Sequence, residues 1–153
     1  MTYLQIITAA AKAAKVSAVL LYAICAHESN DFMYDYTLYD AGSPSFGVCQ
    51  LKKDTALLLG WKGSDEMELR NPYVNTTLAA KYLRYQLDRY NGNYCKAVAA
   101  YNAGSFIESQ KTPGFPKNLK YVQKVQQRLE KDLKRKLSCD IKDSRFIDKL
   151  EEE

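Results

Sequence analysis

Apolar residues recur at intervals of three and four along most of the chain, and no long stretch alternates between apolar and polar positions. Spacings of three and four place side chains on one face of an α-helix, whereas alternation is typical of a half-buried strand. The pattern therefore predicts a mainly α-helical fold with little or no sheet. The predicted helices cover approximately residues 3–15, 16–29, 54–59, 72–90, 94–103 and 117–137.

Several of these helices have recognisable ends. Ser17 is a good N-cap for the second helix. Asn71 followed by Pro72 is typical of a helix start, because the missing N–H of proline costs nothing in the first turn. Gly104 stands where a left-handed residue would end the fifth helix. These residues support the helix boundaries that the spacing alone predicts.

The length of 153 residues fits a single domain, 1–153, with a core of its own. Between the second and third helices, residues 30–46 are rich in Asp, Tyr, Gly, Ser and Pro, which predicts a loop. Residues 138–153 are predicted to form a charged tail or one more short helix. We find no internal repeat.

The composition is that of an ordinary globular protein, with 46% hydrophobic and 26% charged residues. The balance of 22 basic against 18 acidic residues is too mild to predict a nucleic-acid partner. The first 15 residues lack a basic segment followed by a long apolar run, so we predict neither a secretory signal nor a membrane span.

Four cysteines, Cys25, Cys49, Cys95 and Cys139, lie far apart in the sequence. This spacing lacks the close pairs of a zinc site, so we predict no metal and no other cofactor. One or two disulfides and buried free thiols remain equally open interpretations at this stage.

The most informative ionisable residue is Glu28. Leu20, Leu21 and Ile24 share one stripe of the second helix with it, so its carboxyl group is predicted to point toward the core side. Burial disfavours the ionised form and would raise the pKa of Glu28, as an acid catalyst of glycoside cleavage requires. The alternative is that Glu28 is an exposed residue at the end of the helix.

Five short runs, in this order and spacing over about residues 16–129, resemble the soluble lytic transglycosylases. The run in the fifth helix, following a Gly-x-x-Gln, is the most specific of them. The runs are Ala26-His27-Glu28-Ser29, Ser45-Phe46-Gly47-Val48-Cys49-Gln50, Asn71-Pro72 with Asn75, Ala100-Tyr101-Asn102-Ala103-Gly104, and Tyr121-Val122.

The resemblance implies a lysozyme-like helical domain that cleaves the β-1,4 bond between N-acetylmuramic acid and N-acetylglucosamine in a peptidoglycan strand. Glu28 would protonate the glycosidic oxygen and then act as base, while the 6-hydroxyl of the sugar attacks to give a 1,6-anhydro product. This is a substrate-assisted exception to the two-carboxylate scheme, so a second catalytic carboxylate is not required.

The same resemblance assigns the substrate-binding candidates. Gly47 would let the backbone approach the sugar, and Gln50 would face the cleft. Tyr101 would orient the substrate or the acid. Ser45 would line the site, although a turn-forming serine is an equal alternative. Asn102 belongs to the same run as Tyr101.

Near a helix end, however, a polar side chain more often satisfies backbone groups than contacts a ligand. By that argument Asn75 is predicted to be structural and is left out of the site, and Asn102 has the same alternative.

The sequence departs from the family pattern at three places. One additional residue separates Glu28 from Phe32, and Cys49 stands where methionine is usual. Lys117 and Asn118 replace a common Glu-Thr pair before Tyr121, so a glutamate that the family uses in sugar binding is missing.

Two other functions compete with this interpretation. A goose-type lysozyme would hydrolyse the same bond with a water positioned by an aspartate, for which Asp35 and Asp40 are candidates. A non-catalytic glycan-binding module would keep the fold but would not need an acid on an apolar helix face. The resemblance places the protein in the periplasm or cell envelope, alone or within a larger envelope assembly, or in a phage virion.

Overall fold

The computed structural model of the protein describes residues 1–33, 35, 38–40, 43–139, 141–142 and 144–147. Within those residues the chain forms six α-helices, one 3-10 helix and five short strands. The helices are α1 Tyr3–Ala14, α2 Ala18–Glu28, α3 Lys53–Leu58, α4 Pro72–Arg89, α5 Tyr94–Ala103 and α6 Leu119–Asp132, with the 3-10 helix at Glu66–Arg70. The strands are β1 Leu38–Asp40, β2 Ser43–Phe46, β3 Leu51–Lys52, β4 Lys136–Ser138 and β5 Arg145–Ile147.

The predicted mainly α-helical, lysozyme-like fold is confirmed. The chain divides into two compact units, residues 1–82 and 83–153, and the division falls within α4. The single-domain organisation stays a prediction. No helix among the described residues is both long enough and apolar enough to span a membrane.

The predicted helix starts are confirmed. The Ser17 hydroxyl accepts from the Leu20 N–H at 3.1 Å. The Asn71 side chain accepts from the Tyr73 N–H at 2.9 Å, directly after the position that Pro72 occupies. These side chains satisfy backbone N–H groups that have no partner within the first turn of a helix.

In the first unit, α1 packs on α2. Fully buried aliphatic residues come from both helices: Ile7 from α1, and Leu20, Leu21 and Ile24 from α2. Because these residues recur at helical spacing, sequence periodicity predicts both elements correctly. This packing fixes the direction of α2, whose last residue is Glu28.

The loop predicted for residues 30–46 is partly wrong, because β1 and β2 lie within it. They form an antiparallel sheet with β3 in the order β1-β2-β3. Strands of two to four residues are too short to produce a recognisable alternation. The 3-10 helix at Glu66–Arg70 was likewise not predicted.

The end of the chain also differs from the prediction. Helix α6 ends at Asp132, before the predicted residue 137, because Lys134 turns the backbone into the left-handed region with φ 55°. The short helix considered within residues 138–153 is wrong for residues 145–147, which form β5 and pair antiparallel with β4. The ring of Phe146 on β5 packs on the ring of Tyr94 at 5.3 Å between centroids.

Candidate active site

Glu28 is the last residue of α2, and its side chain is half-buried. Leu20, Leu21 and Ile24, which precede it on the same stripe, are fully buried. Glu28 therefore lies where the buried stripe meets the end of the helix. This half-buried position is intermediate between the two predicted environments, a core-facing acid and an exposed helix end, and the catalytic role stays a prediction.

The chain leaves α2 through a left-handed turn over Asn30, Asp31 and Phe32, whose φ angles are 51°, 59° and 65°. Residues other than glycine cost about 1–2 kcal/mol each in this region, so the turn needs stabilising contacts. The Ser29 hydroxyl donates to the Cys25 carbonyl at 2.7 Å and accepts from the Phe32 N–H at 2.9 Å. Ser29 therefore has a structural role beside Glu28.

Aromatic contacts stabilise the same turn. The ring of Phe32 stacks on the ring of Tyr3 at 4.8 Å and lies 5.1 Å from the ring of Tyr22, measured between centroids. Burial raises the pKa of the Tyr3 phenol, and the nearby carboxylate of Asp35 raises it further. The additional residue between Glu28 and Phe32 is thus accommodated by an aromatic cluster.

The second group of predicted site residues lies in the turn between β2 and β3, which we call the Gly47–Gln50 turn. The Gln50 N–H donates to the Gly47 carbonyl at 3.0 Å, and the Gln50 side-chain Nε2 donates to the same oxygen at 2.7 Å. Gly47 and Gln50 both have left-handed backbones, with φ angles of 74° and 48°. Ser45, a buried residue of β2, leads into this turn and pairs in register with Lys52 of β3.

Asn75, a buried residue of α4, holds this turn in place. Its Oδ1 accepts from the Cys49 N–H at 2.8 Å. Its Nδ2 donates to the carbonyls of Phe46 at 2.7 Å and Leu69 at 2.8 Å. The structural role predicted for Asn75 is therefore confirmed.

The position of Asn75 also explains why residue 47 is a glycine. A Cβ atom at Gly47 would lie 2.5 Å from the Asn75 Nδ2 and 3.0 Å from the Leu69 carbonyl oxygen. The space beside Gly47 is therefore filled by the Asn75 amide. That Gly47 also lets the backbone approach a sugar stays a prediction.

A disulfide between Cys25 and Cys49 joins the two groups of site residues. Cys25 lies one helical turn before Glu28, and Cys49 lies inside the Gly47–Gln50 turn; both are fully buried. The helix that carries the predicted acid is thus covalently attached to the turn that carries the predicted binding amide.

Tyr101 and Asn102 lie in the second unit, on α5. Tyr101 is buried and Asn102 is exposed. The Asn118 Nδ2, at the start of α6, donates at 3.0 Å both to the Asn102 Oδ1 and to the Ala99 carbonyl. Asn118 therefore attaches α6 to the last turns of α5, next to Tyr101.

The glycine that ends the Ala-Tyr-Asn-Ala-Gly run is held from α4. The Gly104 carbonyl accepts from the Arg89 guanidinium at 2.9 Å and from the Gln86 Nε2 at 3.3 Å. The same guanidinium donates to the Ser105 hydroxyl at 3.0 Å. With φ 85°, Gly104 ends the helix in the left-handed region, as predicted.

Of the two aspartates considered for a hydrolytic mechanism, the structure describes the side chain of Asp35 but not that of Asp40. Asp35 is exposed and lines an open cavity of about 500 Å³ with Glu68 and Arg70, among other residues. Asp40 ends β1, and its side chain lies outside the described part of the chain.

Sequence reasoning missed two structural contributions to these groups. The Cys25–Cys49 pairing had a usable signal, because one cysteine lies three residues before Glu28 and the other lies inside the Gly-x-x-Gln run. The role of Asn118 had no such signal, because its two acceptors lie 16 and 19 residues earlier in the chain.

Comparison with known proteins identifies a family and a similar solved structure. The chain matches the Transglycosylase SLT domain family over residues 5–122, a range that includes both Glu28 and Tyr101. It is similar in structure to the lytic transglycosylase Slt from Pseudomonas aeruginosa, solved as an inactive mutant with a glutamate-to-glutamine substitution. That match has a TM-score of 0.54 and 28% sequence identity, and it covers 64% of this chain and 16% of that chain.

Proposed function

The chain belongs to the transglycosylase SLT domain family, and we propose that it is a peptidoglycan lytic transglycosylase with Glu28 as acid and base. The protonated Glu28 gives its proton to the oxygen that joins N-acetylmuramic acid to N-acetylglucosamine, and the glycosidic bond breaks. The Glu28 carboxylate then accepts a proton from the muramyl 6-hydroxyl, whose oxygen attacks the anomeric carbon. The product carries a 1,6-anhydro ring, and no water is consumed.

The observation that carries this proposal is the covalent connection between α2 and the Gly47–Gln50 turn through the Cys25–Cys49 disulfide. Glu28 and Gln50 belong to the two most chemically distinctive runs of the first unit. The disulfide links the helix that carries Glu28 to the turn that carries Gln50. Catalytic geometry must be held to within a fraction of an ångström. A buried covalent tie one turn from the acid is well suited to that requirement.

The position of Glu28 at a helix end also supports an acid role. The carboxyl-terminal end of a helix carries the negative pole of the helix dipole, which disfavours an ionised carboxylate there. The buried stripe of Leu20, Leu21 and Ile24 also places the half-buried Glu28 at the edge of an apolar region. The similar Slt protein was solved as an inactive mutant with a glutamate-to-glutamine substitution. This is the result expected for an enzyme that depends on one essential glutamate.

The setting that fits this function is the periplasm or cell envelope, or a phage particle that acts there. Two disulfides, Cys25–Cys49 and Cys95–Cys139, support an oxidising compartment, because cytosolic thiols are normally kept reduced. The substrate in that compartment would be the glycan strand of peptidoglycan.

Mass spectrometry of soluble muropeptides released from purified peptidoglycan tests the proposal. We expect anhydromuramyl products from the wild type, and about 10²- to 10⁴-fold slower release by Glu28→Gln, the range typical of a lost general acid. Because glutamine is nearly isosteric, the mutant should keep its helical circular dichroism. The matched control is Glu130→Gln, the same change at an exposed residue of α6, which should keep full activity.

Each other outcome has a distinct meaning. Products with ordinary reducing ends would show that the enzyme hydrolyses the bond. Asp35 and Asp40 would then be the residues to mutate next. An active Glu28→Gln mutant would remove Glu28 as the catalyst. No release by the wild type would favour a glycan-binding role.

A further inference from the structure

The positive charge of the chain is concentrated in one region. Residues 105–139 contain nine basic and three acidic residues, whereas the whole chain contains 22 basic and 18 acidic residues. The remainder of the chain is therefore slightly acidic. A charge asymmetry of this kind is typical of a surface that meets an anionic partner.

Four of these nine basic residues lie on one side of α6 or directly before it. Val122, Val125 and Leu129 are fully buried on the inner side of the helix. The opposite side carries three exposed lysines, and exposed Lys117 lies two residues before the helix. We call these four the basic face: Lys117, Lys120, Lys124 and Lys131. With a rise of about 1.5 Å per residue, neighbouring lysines of the face are about 5–10 Å apart along the axis.

Helix stability accounts for Lys131, which lies in the last turn of α6, but not for Lys120 and Lys124. Lys120 lies in the first turn of α6, where the positive pole of the helix dipole disfavours a cation, and no acidic residue is present in that turn. Lys120 and Lys124 are also like charges at a spacing of four, which repel each other. Within the described part of the chain, none of the four lysines forms an ion pair.

We propose that the basic face binds the carboxylates of the peptide stems on peptidoglycan. This inference rests on the proposed function, which makes a polymer with repeated carboxylate-bearing stems the substrate. Ammonium groups at intervals along a helix suit several weak contacts with such a polymer, and together these contacts give avidity. The face would hold the enzyme on the wall between cleavage events.

The neighbouring residues favour a polymer over a lipid bilayer. On the exposed side of α6 the lysines are interleaved with Gln123 and Gln127, which are polar and exposed. A helix that lies in a bilayer surface presents large apolar residues next to its basic ones. Along α6, which is described throughout, the basic face has no exposed large apolar residue beside it; Lys117, before the helix, lines a cavity with the exposed Ile107.

The test measures binding without cleavage, in the full-length Glu28→Gln protein, by cosedimentation with purified peptidoglycan at increasing NaCl. The variant replaces Lys120, Lys124 and Lys131 by glutamine. The matched control replaces Lys12, Lys62 and Lys81 by glutamine; these are exposed lysines of the first unit, so both proteins lose the same net charge.

We expect about tenfold weaker binding and a smaller salt dependence for the basic-face variant, with the control unchanged. On peptidoglycan stripped of its stems by an amidase, the parent should bind no better than the variant. The variant should melt at about the same temperature, because the relief of repulsion between Lys120 and Lys124 offsets the loss of the favourable Lys131 charge in the last turn.

The inference would be overturned by equal loss in both triple mutants, by no loss in the basic-face variant, or by full binding to stripped glycan. Preferential binding of the parent to phosphatidylglycerol vesicles would overturn it in favour of a bilayer. These results are independent of the muropeptide assay. If the wild-type protein releases no muropeptides but still binds the stems, the proposed function alone is contradicted.

Discussion

Gly47 and Asn75 share one small space beside the Gly47–Gln50 turn. The Asn75 amide reaches the backbone of both flanks of the turn, with hydrogen bonds of 2.7–2.8 Å to Phe46, Cys49 and Leu69. It can do so because residue 47 has no side chain. Gly47 therefore has a structural role that does not depend on substrate binding.

Gly47→Ala should lower the free energy of unfolding by about 3 kcal/mol. About 1–2 kcal/mol comes from the positive φ of 74°, and about 1–3 kcal/mol comes from the overlap with Asn75. Chemical denaturation in urea measures the change.

Gly92→Ala is the matched control for that prediction. Gly92 has a similar φ of 78°, but a Cβ there would meet no atom within 4 Å. Its cost should therefore be limited to the backbone, about 1–2 kcal/mol. Equal costs for the two mutants would show that the space beside Gly47 is unimportant.

At the scale of elements, one cross-link in each unit attaches helices to turns and strands. Cys25–Cys49 attaches α2 to the Gly47–Gln50 turn, and Cys95–Cys139 attaches the start of α5 to the segment after β4. The chain-entropy model assigns about 3.4 kcal/mol to a cross-link over 24 residues and about 4.0 kcal/mol over 44 residues. The two disulfides should therefore stabilise the fold similarly.

Their effects on catalysis should differ. The Cys25→Ala/Cys49→Ala mutant should lose about tenfold or more in muropeptide release per folded molecule, because the attachment between Glu28 and Gln50 is lost. The Cys95→Ala/Cys139→Ala mutant should lose at least as much stability but keep most of its turnover. Both are assayed at a temperature where circular dichroism shows a folded protein. Parallel losses of turnover would mean that the first disulfide acts through stability alone.

The sequence predicted helices correctly where their capping residues are clear. It did not predict strands, because a short strand depends on hydrogen bonds to a partner strand. Ser17 and Asn71 give the starts of α2 and α4 because an N-cap acts on backbone groups two or three residues away. The strands β1 and β4 were missed, because each exists through its partner strand and is only three residues long. The overlong prediction for α6 followed an apolar spacing that continues past Asp132 to Leu137, a residue that is buried in a strand.

At the scale of the whole molecule, the two disulfides together should contribute about 7 kcal/mol. That is comparable to the total stability of a typical domain, about 5–15 kcal/mol. Oxidation is therefore expected to decide whether the chain folds, which agrees with an envelope or extracellular setting.

Reduction should accordingly unfold most of the protein at 37 °C. Thermal melts followed at 222 nm, with and without a thiol-free reductant, measure this directly. A reduced protein that melts within a few degrees of the oxidised one would contradict the estimate. The double mutants above separate the share of each disulfide.

The sequence by itself determined the helical class, most helix starts and the identity of the candidate acid. These properties depend on spacings of three or four residues, on caps and on short runs, all of which are local in the chain. The tertiary structure decided how Cys25 pairs with Cys49, how Asn75 fills the space beside Gly47, and how Asn118 reaches Asn102. Those contacts join residues 16–28 positions apart, and such contacts form only when packing brings distant segments together.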